Sequence, residues 1–439
     1  MRKYLANKMN IFSVLLFFLI TFFCFWSNPK LEPQIKPDSY GYINLLDSSK
    51  NNLVIKRPLL YPLIIKFCQL LSYENWIKLL IIFQIISHSL IIVLLFNMYH
   101  KINFSILTSF LLAFGIGIHP SLVLFSKYLL PELLFGVLIT LIWYFFIKGL
   151  NIRINKTKMK LFFIVSSFLS SLALITKPAW LLGIIPMIIL LLIRKILTKF
   201  DYKFLIMMIF IHFSLFFIWN VYKLINNPNY ESNSILIVNL NMASIRSGLV
   251  EYAEETPLYI FLDSKNLIRK VENLNGADGK DFRHIYNQIP LKERSDYRFL
   301  YKILVNVPHK LFFAQIKNWH YFFINRMFHP SGPNTFPGSP EFLRYIYIGA
   351  YNFIYNPLLP FLLISTMLLG IKGIINNNII LTSIMFIIYF SIVIVMFTKS
   401  QSSFMRMRVP IDYILFFTSF LPIGLFIDNI KYYLLKSNS

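Results

Sequence analysis

The run NIFSVLLFFLITFFCFWS, residues 10–27, is the first of a series of long apolar stretches that decide the fold. Basic residues precede it and no small-residue cleavage site follows, a pattern typical of a retained signal anchor. The next loop contains KPDSYGY, residues 36–42, and then the basic, proline-containing stretch KRPLLYP, residues 56–62. Asp38 is therefore a carboxylate directly behind a predicted membrane helix, and it is the first candidate for chemistry.

The composition indicates an integral membrane protein. Of the 439 residues, 56% are hydrophobic and 14% are charged, whereas about 25% of residues are charged in a typical soluble protein. The formal net charge of +24 is spread between apolar runs, so cytoplasmic loops and anionic lipid headgroups explain it better than a nucleic-acid partner does. Two cysteines are too few for a disulfide framework.

The apolar runs predict the fold class. A helix needs ~20 apolar residues to cross the hydrocarbon core, and continuous apolar runs favour helices over a β-barrel. The predicted spans are 10–27, 77–97, 104–119, 128–147, 161–176, 179–193, 204–222, 346–371, 379–397 and 411–428. We expect an all-α polytopic membrane protein with about ten transmembrane helices and a mixed extracytoplasmic segment.

The placement of lysine and arginine predicts the orientation. With the N-terminus inside, the cytoplasmic segments carry Arg2, Lys3, Lys8, Lys101, Lys148, Arg153, Lys156, Lys158, Lys160, Arg194, Lys195, Lys199, Lys203, Lys372, Lys431 and Lys436. The short outer loops carry Lys127, Lys177, Lys399, Arg406 and Arg408. Because cytoplasmic loops are enriched in basic residues, both termini are expected inside, with the protein in the plasma (inner) membrane.

The spans divide the chain into three predicted parts. Residues 1–225 form an N-terminal transmembrane module that includes the first outer loop at 28–76. Residues 226–345 form an extracytoplasmic segment, and residues 346–439 form C-terminal transmembrane helices. Two amphipathic stretches predict helices that lie in the membrane interface, because they are too polar or too short to cross the membrane. They are Leu59–Tyr73 and Tyr297–Phe328.

Polar residues at the ends of apolar helices collect on the outer side. Such residues are costly near lipid and usually face a cavity or a partner. Lys177 could belong to a substrate-binding site, or it could be a lysine that extends its charged end to the membrane interface. Glu132 fits a site, but also a favourable charge in the first turn of a helix. Arg406 and Arg408 fit a phosphate site, but also lipid headgroup anchors.

Metal and nucleotide motifs are missing from the sequence. No Cys/His/Asp cluster has metal-ligand spacing, and no Walker or Rossmann glycine pattern occurs. We therefore expect no cofactor, with a divalent metal left open.

One outer carboxylate and several outer cations suit the transfer of a sugar from a lipid phosphate. The departing phosphate needs cations, for which arginine and lysine are suited. The attacking hydroxyl needs a base to take its proton. Asp38 fits the base, and Lys177, Arg406 and Arg408 fit the phosphate clamp. No nucleotide is present outside the cytoplasm, so the donor is expected to be a lipid.

The order of short motifs strengthens this hypothesis. Along the chain they are PDSYGY at 37–42, RPLLYP at 57–62, HP at 119–120, PE at 131–132, TKP at 176–178 and RMRVP at 406–410. This order resembles the GT-C superfamily of polytopic glycosyltransferases, especially the branch of protein O-mannosyltransferases and the aminoarabinose transferase of lipid A. The resemblance covers about residues 1–225 and returns at 400–412.

The resemblance implies an inverting transfer from a polyprenyl-phosphate-linked sugar in the lipid bilayer, on the periplasmic or exterior face. Asp38 is the implied catalytic residue. The implied substrate-binding residues are Tyr42, Arg57, Tyr61, Glu132, Lys177, Arg406 and Arg408. Protein mannosyltransferases carry an Asp-Glu pair where this chain has Asp38-Ser39, so a cell-envelope glycan or lipid acceptor, such as lipopolysaccharide, is favoured over a protein.

Two other functions stay open at this point. An O-antigen or polysaccharide polymerase or ligase would depend on arginines and a histidine in the large outer segment, and Arg283-His284 or His320 with Arg326 could supply them. A transporter or flippase would predict charged residues near the middle of the membrane and internal repeats, and neither is evident in the sequence.

The predicted orientation is testable with single cysteines at Asn229 or Asn275. In intact cells both should react with a membrane-impermeant thiol reagent, because the segment 226–345 is expected outside. A cysteine in the loop 148–160 is the control and should react only after permeabilisation. Protection of Asn229→Cys and Asn275→Cys in intact cells would overturn the orientation and the proposed chemistry together.

Overall fold

The computed structural model describes most of the predicted apolar runs and part of the outer segments. The described residues are 2–33, 35, 37–43, 58–152, 154–193, 202–226, 235–268, 288–316, 349, 356–373, 375–397 and 401–437. Every regular element among them is a helix, which confirms the all-α class.

The α-helices, numbered in chain order, are α1 Arg2–Trp26, α2 Pro37–Ile43, α3 Leu60–Leu71, α4 Trp76–Lys101, α5 Ile106–Gly117, α6 Pro120–Phe125, α7 Glu132–Asn151, α8 Lys156–Thr176, α9 Ile184–Ile193, α10 Tyr202–Asn226, α11 Ile235–Arg246, α12 Pro257–Ser264, α13 Leu291–Arg294, α14 Tyr297–Asn306, α15 Pro308–Ile316, α16 Asn356–Ile371, α17 Asn377–Phe397 and α18 Gln401–Ser437. Short 3₁₀ turns occur at Pro178–Trp180 and Val250–Ala253.

Among the residues that the structure describes, six helices are long and apolar enough to cross a membrane, which indicates a membrane protein. They are Lys8–Trp26, Trp76–Lys101, Glu132–Asn151, Lys156–Thr176, Tyr202–Ile225 and Arg408–Ile430. The other four predicted spans overlap the shorter apolar helices Ile106–Gly117, Pro178–Ile193, Pro357–Ile371 and Asn378–Val393. Six possible crossings are therefore supported by length and composition, and a topology with ten stays a prediction.

The span predicted at 128–147 begins later in the structure. Its helix α7 starts at Glu132, with Pro131 as the residue before it. Residues 126–131 are instead a buried turn between α6 and α7. Proline lacks a backbone N–H and fits the start of a helix better than its interior, which explains the later boundary.

The chain divides into two compact units. The first comprises Met1–Asn226, Arg326–Tyr389 and Val409–Ser439, and the second comprises Asn227–Asn325 and Phe390–Arg408.

In the first unit, α7 and α8 pack antiparallel. The Ser166 hydroxyl of α8 donates to the Ile142 carbonyl of α7 over 3.1 Å, and the Phe146 and Phe163 ring centroids lie 5.2 Å apart. Contacts therefore move toward the start of α8 as they move toward the end of α7. This pairing brings the start of α7 beside the end of α8.

The opposite ends of the helices are joined by separate polar contacts. The Asp428 carboxylate of α18 accepts from the Ser105 backbone N–H over 3.0 Å and from the Thr108 hydroxyl over 2.6 Å, at the start of α5. The Asn378 side-chain amide donates to the Asn151 side-chain oxygen over 2.7 Å, at the end of α7. Both contacts lie at the end of the bundle that the charge distribution predicts to be cytoplasmic.

The core of the first unit is the part of α18 that follows Arg408. Every residue from Val409 to Ser419 is buried, as expected of a helix that neighbours surround on all sides. The Tyr99 hydroxyl donates to the Phe417 carbonyl over 2.9 Å, and the Trp143 ring packs edge-on against Phe417 at 5.0 Å. Helices α4 and α7 thus both pack against α18.

A buried histidine adds a third contact to α18. The His88 Nε2 lies 2.9 Å from the Gly117 carbonyl, and its Nδ1 lies 2.8 Å from the Tyr413 hydroxyl. A carbonyl only accepts hydrogen bonds, so Nε2 carries the proton and Nδ1 accepts from Tyr413. His88 thereby links α4, α5 and α18 inside the bundle, and it acts as a helix-packing residue.

The second unit has its own apolar core. It is formed by Val238, Met242, Ile245, Leu249, Val250, Ala253, Leu258, Leu262, Leu267, Ile289, Phe299, Ile303, Val307 and Leu311. The Asp296 carboxylate accepts from the Arg298 N–H over 3.0 Å and from the Leu258 N–H over 3.2 Å, so one side chain serves the first turns of both α14 and α12.

The stretch Tyr297–Phe328, predicted as one interfacial helix, begins as two helices. Helix α14 ends at Asn306 and α15 starts at Pro308, with Val307 between them in a non-helical conformation (φ -142°, ψ 49°). Proline interrupts a helix because it has no N–H to donate. Residues 317–328 lie outside the described part.

Candidate functional site

The helix that contains Asp38 is fixed to the first unit through its next turn. Within α2, Ser39 is fully buried and Tyr42 is 3% exposed. The Tyr42 ring packs edge-on against the Tyr61 ring of α3, with centroids 5.1 Å apart. Edge-to-face pairs are a favourable geometry for aromatic rings. The two motifs of the first outer loop, PDSYGY and RPLLYP, therefore meet.

Gln84 of α4 connects this aromatic pair to the turn before α7. The Tyr61 hydroxyl donates to the Gln84 side-chain oxygen over 3.1 Å. The Gln84 amide nitrogen donates to the carbonyls of Ser126 and Tyr128 over 3.0 and 3.1 Å. Both donors of the amide are therefore used. Gln84 is 2% exposed, and it joins α3 to the turn before α7.

Glu132 and Lys177 form an ion pair at the same end. The Lys177 Nζ lies 3.2 Å from the Glu132 Oε1, and the side chains are 15% and 0% exposed respectively. Lys177 therefore turns inward to a carboxylate, which the snorkelling alternative does not predict. Glu132 is also the first residue of α7, so the helix dipole favours its charge as well.

The charge of Glu132 also reaches the aromatic pair. Burial, and then the neighbouring Tyr42, Glu132 and Cys68, raise the pKa of the Tyr61 hydroxyl well above its ordinary value. Tyr61 is therefore a neutral hydrogen-bond donor at physiological pH. Because Gln84 bonds Tyr61 to the turn that leads into Glu132, we call Tyr42, Tyr61, Glu132 and Lys177 together the outer cluster.

Lys127 lies in the buried turn and has a structural contact. Its Nζ donates to the Ser27 carbonyl at the end of α1 over 2.6 Å, which is a favourable position for a cation. Burial lowers the pKa of Lys127 to about 8, and burial raises the pKa of Tyr128 to about 12. The ammonium of Lys127 thus joins α1 to the turn that Gln84 also contacts.

A second polar group is buried near the start of α6. The Ser121 hydroxyl donates to the Asp412 Oδ2 over 3.0 Å, and the His119 Nδ1 lies 2.7 Å from the same hydroxyl. In a catalytic triad the histidine lies between the serine and the acid, whereas here the serine does. Since the hydroxyl gives its proton to Asp412, the His119 Nδ1–H donates to the hydroxyl oxygen, and Nδ1 does not then also accept from the Ser121 N–H 3.2 Å away. This arrangement serves folding and does not activate a nucleophile.

The structure describes the remaining predicted site residues to different extents. Asp38 lies in α2, one helical turn before Tyr42, and its side chain is outside the described part, as are Arg57 and the side chain of Arg406. Arg408 belongs to the second unit and is 2% exposed. This burial argues against the headgroup-anchor alternative for Arg408, because an anchor directs its guanidinium to the lipid surface.

Gln84 and Asp412 are polar residues that the sequence prediction of the site missed. Both lie inside long apolar helices, Trp76–Lys101 and Arg408–Ile430. A polar or ionisable side chain within such a helix usually faces the protein interior, and that signal could have identified both. Which partner each one meets depends on the tertiary packing and is not encoded in the local pattern.

Neither a metal-binding group in the described part of the chain nor a known relative identifies the chemistry of the outer cluster. Among the described residues, no group of three or more His, Cys, Asp or Glu side chains could hold a metal ion. No protein-family model, curated protein or solved structure matches the chain. The outer cluster is therefore interpreted from its own chemistry.

The ion pair between Glu132 and Lys177 predicts how substitutions at these two residues change the stability of the protein. Lys177→Met leaves the buried Glu132 carboxylate without its ammonium partner, and breaking a buried pair costs about 3–5 kcal/mol. We expect a clearly lower thermal midpoint in detergent, and we expect Glu132→Gln combined with Lys177→Met to recover most of the loss. Lys66→Met, at an exposed lysine of α3, is the control. A double variant as unstable as Lys177→Met alone would contradict the pairing.

Proposed function

We propose that the protein is a membrane glycosyltransferase of the GT-C type. It transfers a sugar from a polyprenyl-phosphate-linked donor to a glycan or lipid acceptor of the cell envelope. The reaction takes place on the extracytoplasmic face of the plasma membrane and inverts the anomeric centre. Asp38 is the general base, and cations of the outer segments hold the phosphate.

The observation that supports this proposal most is the contact of Tyr42 with Tyr61. It fixes the helix of Asp38 against α3, whose Tyr61 is bonded through Gln84 to the turn that leads into Glu132. The carboxylate-bearing helix and the Lys177 ammonium therefore belong to one end of the first unit. A base and a phosphate-binding cation at one membrane surface are what the transfer requires.

The proposed step has a simple electron balance. An acceptor hydroxyl oxygen forms a bond to the anomeric carbon while the bond from that carbon to the phosphate oxygen breaks. The hydroxyl proton passes to the Asp38 carboxylate, and the phosphate oxygen keeps the electron pair. Attack opposite to the leaving phosphate inverts the configuration at the anomeric carbon. No nucleotide and no metal is needed for this balance.

Lys177 has the properties of a group that stabilises the leaving phosphate. Its side chain remains 15% exposed while its ammonium lies beside Glu132. Glu132 favours the charged form of the lysine and orients it, so Glu132 acts as a positioning residue. For Arg406 and Arg408 of the second unit, phosphate binding stays a prediction from the sequence, since a guanidinium can bind two phosphate oxygens at once. Arg57 is proposed for the same role from the first outer loop.

The exposed tyrosine of α2 suits a sugar-binding surface. Tyr42 and Tyr61 are buried against each other, whereas Tyr40 of the same short helix is 56% exposed. Aromatic rings combine a large apolar face with a hydroxyl, which is the chemistry that sugars present in return. The acceptor is proposed to approach from the aqueous side of α2.

The transporter alternative finds little support in the placement of the two acids of the helix Arg408–Ile430. Asp412 and Asp428 lie near the two ends of the apolar helix Arg408–Ile430, whereas coupling-ion sites in transporters lie near the bilayer midplane. The residues that a polymerase or ligase would use, Arg283, His284, His320 and Arg326, are outside the described part. Neither alternative is therefore preferred.

Asp38→Asn tests the proposed base. Asparagine keeps the size of the side chain but cannot accept the proton, and general-base assistance contributes ~10²–10⁴-fold. We expect nearly complete loss of sugar release from labelled polyprenyl-phosphate sugars by the purified protein. Binding of polyprenyl phosphate should persist, because the loss of a negative charge near the phosphate does not weaken the binding of that phosphate to the protein.

Glu32→Gln is the matched control for Asp38→Asn, since it removes an exposed carboxylate from the same outer segment. It should leave turnover unchanged. Loss of folding or of donor binding in Asp38→Asn would assign Asp38 a structural ion pair with Lys36 or Arg57 instead. Turnover within a few-fold of wild type would reject Asp38 as the base, and a wild-type protein inactive on every polyprenyl-phosphate sugar tested would contradict the proposed function.

A further inference from the structure

Helix α14 of the second unit has a hydrophobic face that its own core does not use. Its core-facing side chains are Phe299, Leu300 and Ile303, which are 0%, 8% and 0% exposed. A second set of large apolar side chains points away from this core: Tyr297, Tyr301, Leu304 and Val305 are 62%, 67%, 46% and 59% exposed. We call this second set the α14 outer face.

The helical geometry separates three faces of α14. Successive residues are about 100° apart, so the α14 outer face occupies an arc of about 100° on the opposite side from Phe299 and Ile303. The remaining arc carries Arg298, Lys302 and Asn306. A surface helix needs one apolar face to pack against the core of its unit, and in α14 the side chains of Phe299, Leu300 and Ile303 already form that face. The additional apolar arc therefore requires a separate explanation.

We propose that the α14 outer face lies in the headgroup layer of the lipid bilayer and holds the second unit on the membrane surface. Three observations favour a bilayer over other occupants. The second unit begins at Asn227, immediately after the helix Tyr202–Asn226, whose apolar part is long enough to cross a membrane. The chain thus tethers this unit to the bilayer.

The chemistry of the face is the second observation. Tyrosine is enriched at membrane–water interfaces because its ring is apolar and its hydroxyl is polar, and two of the four residues are tyrosines. Leucine and valine supply the apolar area between them. Interfacial helices insert such a face into the boundary between headgroups and acyl chains.

The neighbouring charges are the third observation. Arg298 lies beside the outer face and is exposed, so its guanidinium is available to anionic headgroups. Lys302 lies farther round the helix and pairs with Glu255 over 3.3 Å. It also donates to the Glu254 carbonyl, which fixes the polar arc of α14 to its own unit. The basic side of α14 is thus next to the apolar arc, as in interfacial helices.

Helix α3 of the first unit offers a parallel case. Its buried residues are Tyr61, Pro62, Ile65 and Cys68, while Leu63, Phe67, Leu70 and Leu71 are 51%, 60%, 76% and 63% exposed. At 12 residues α3 is too short to span a membrane. Two helices from the two outer segments therefore share one pattern, with a core face and a separate exposed apolar face.

Depth measurement with single cysteines tests the proposal on the full chain. The native Cys24 and Cys68 are both buried, and the unmodified protein serves as the labelling blank. Tyr301→Cys and Val305→Cys report on the α14 outer face, and Asn306→Cys on the polar arc of the same helix is the matched control. Each variant is labelled with a bimane dye in nanodiscs of phosphatidylcholine and phosphatidylglycerol that carry a nitroxide near the headgroup end of the acyl chain.

The expected result is that Tyr301→Cys and Val305→Cys lose about half or more of their fluorescence to the lipid nitroxide, because a probe on an interfacial helix shares the ~5–10 Å boundary layer with the quencher. Asn306→Cys should lose little of its fluorescence.

Equal and weak quenching at all three positions would place the face in water and overturn the proposal. Protection of Tyr301→Cys and Val305→Cys from labelling, or a disulfide between two copies, would assign the face to a protein contact and overturn it as well. Neither readout depends on glycosyl transfer.

Discussion

A carboxylate without exposed surface is costly unless a cation lies beside it, and Glu132 is such a carboxylate. Its partner Lys177 follows directly after α8, while Glu132 starts α7. The ion pair therefore requires the start of one helix and the end of the other to stay together. The antiparallel packing of α7 on α8 satisfies that requirement, and it leaves one partly exposed ammonium at the outer end of the bundle.

Other buried polar groups extend this constraint to the outer loops. Gln84 can satisfy its amide only if Tyr61 and the turn at 126–128 approach it together. Lys127 fixes the same turn to the end of α1. Unsatisfied polar groups are expensive in an apolar interior, so these contacts favour a single arrangement. A site built in this way is preorganised, which is what a transfer that depends on a positioned base and cation requires.

Much of the fold follows from local patterns, and the site follows only in part. Apolar length alone predicts the six long helices, and alternating spans predict that Tyr42, Tyr61, Glu132 and Lys177 share one end of the bundle. The late start of α7 was missed because Pro131 and a buried turn replace its expected first residues. The contacts of Gln84 with Tyr61 and of Asp412 with Ser121 were missed because they join residues far apart in the chain. Sequence periodicity tells which side of a helix is buried but not which neighbour covers it.

The central claim is that a lipid phosphate binds at the outer cluster. Photoaffinity labelling with a polyprenyl-phosphate analogue that carries a photoreactive group close to its phosphate, followed by peptide mapping, tests it most directly. The account predicts cross-links to peptides that contain Tyr42, Tyr61 or residues 126–132, and loss of these cross-links when unlabelled polyprenyl phosphate is added. Cross-links confined to the opposite end of the bundle, at residues 148–160, or label that unlabelled lipid does not displace, would contradict it.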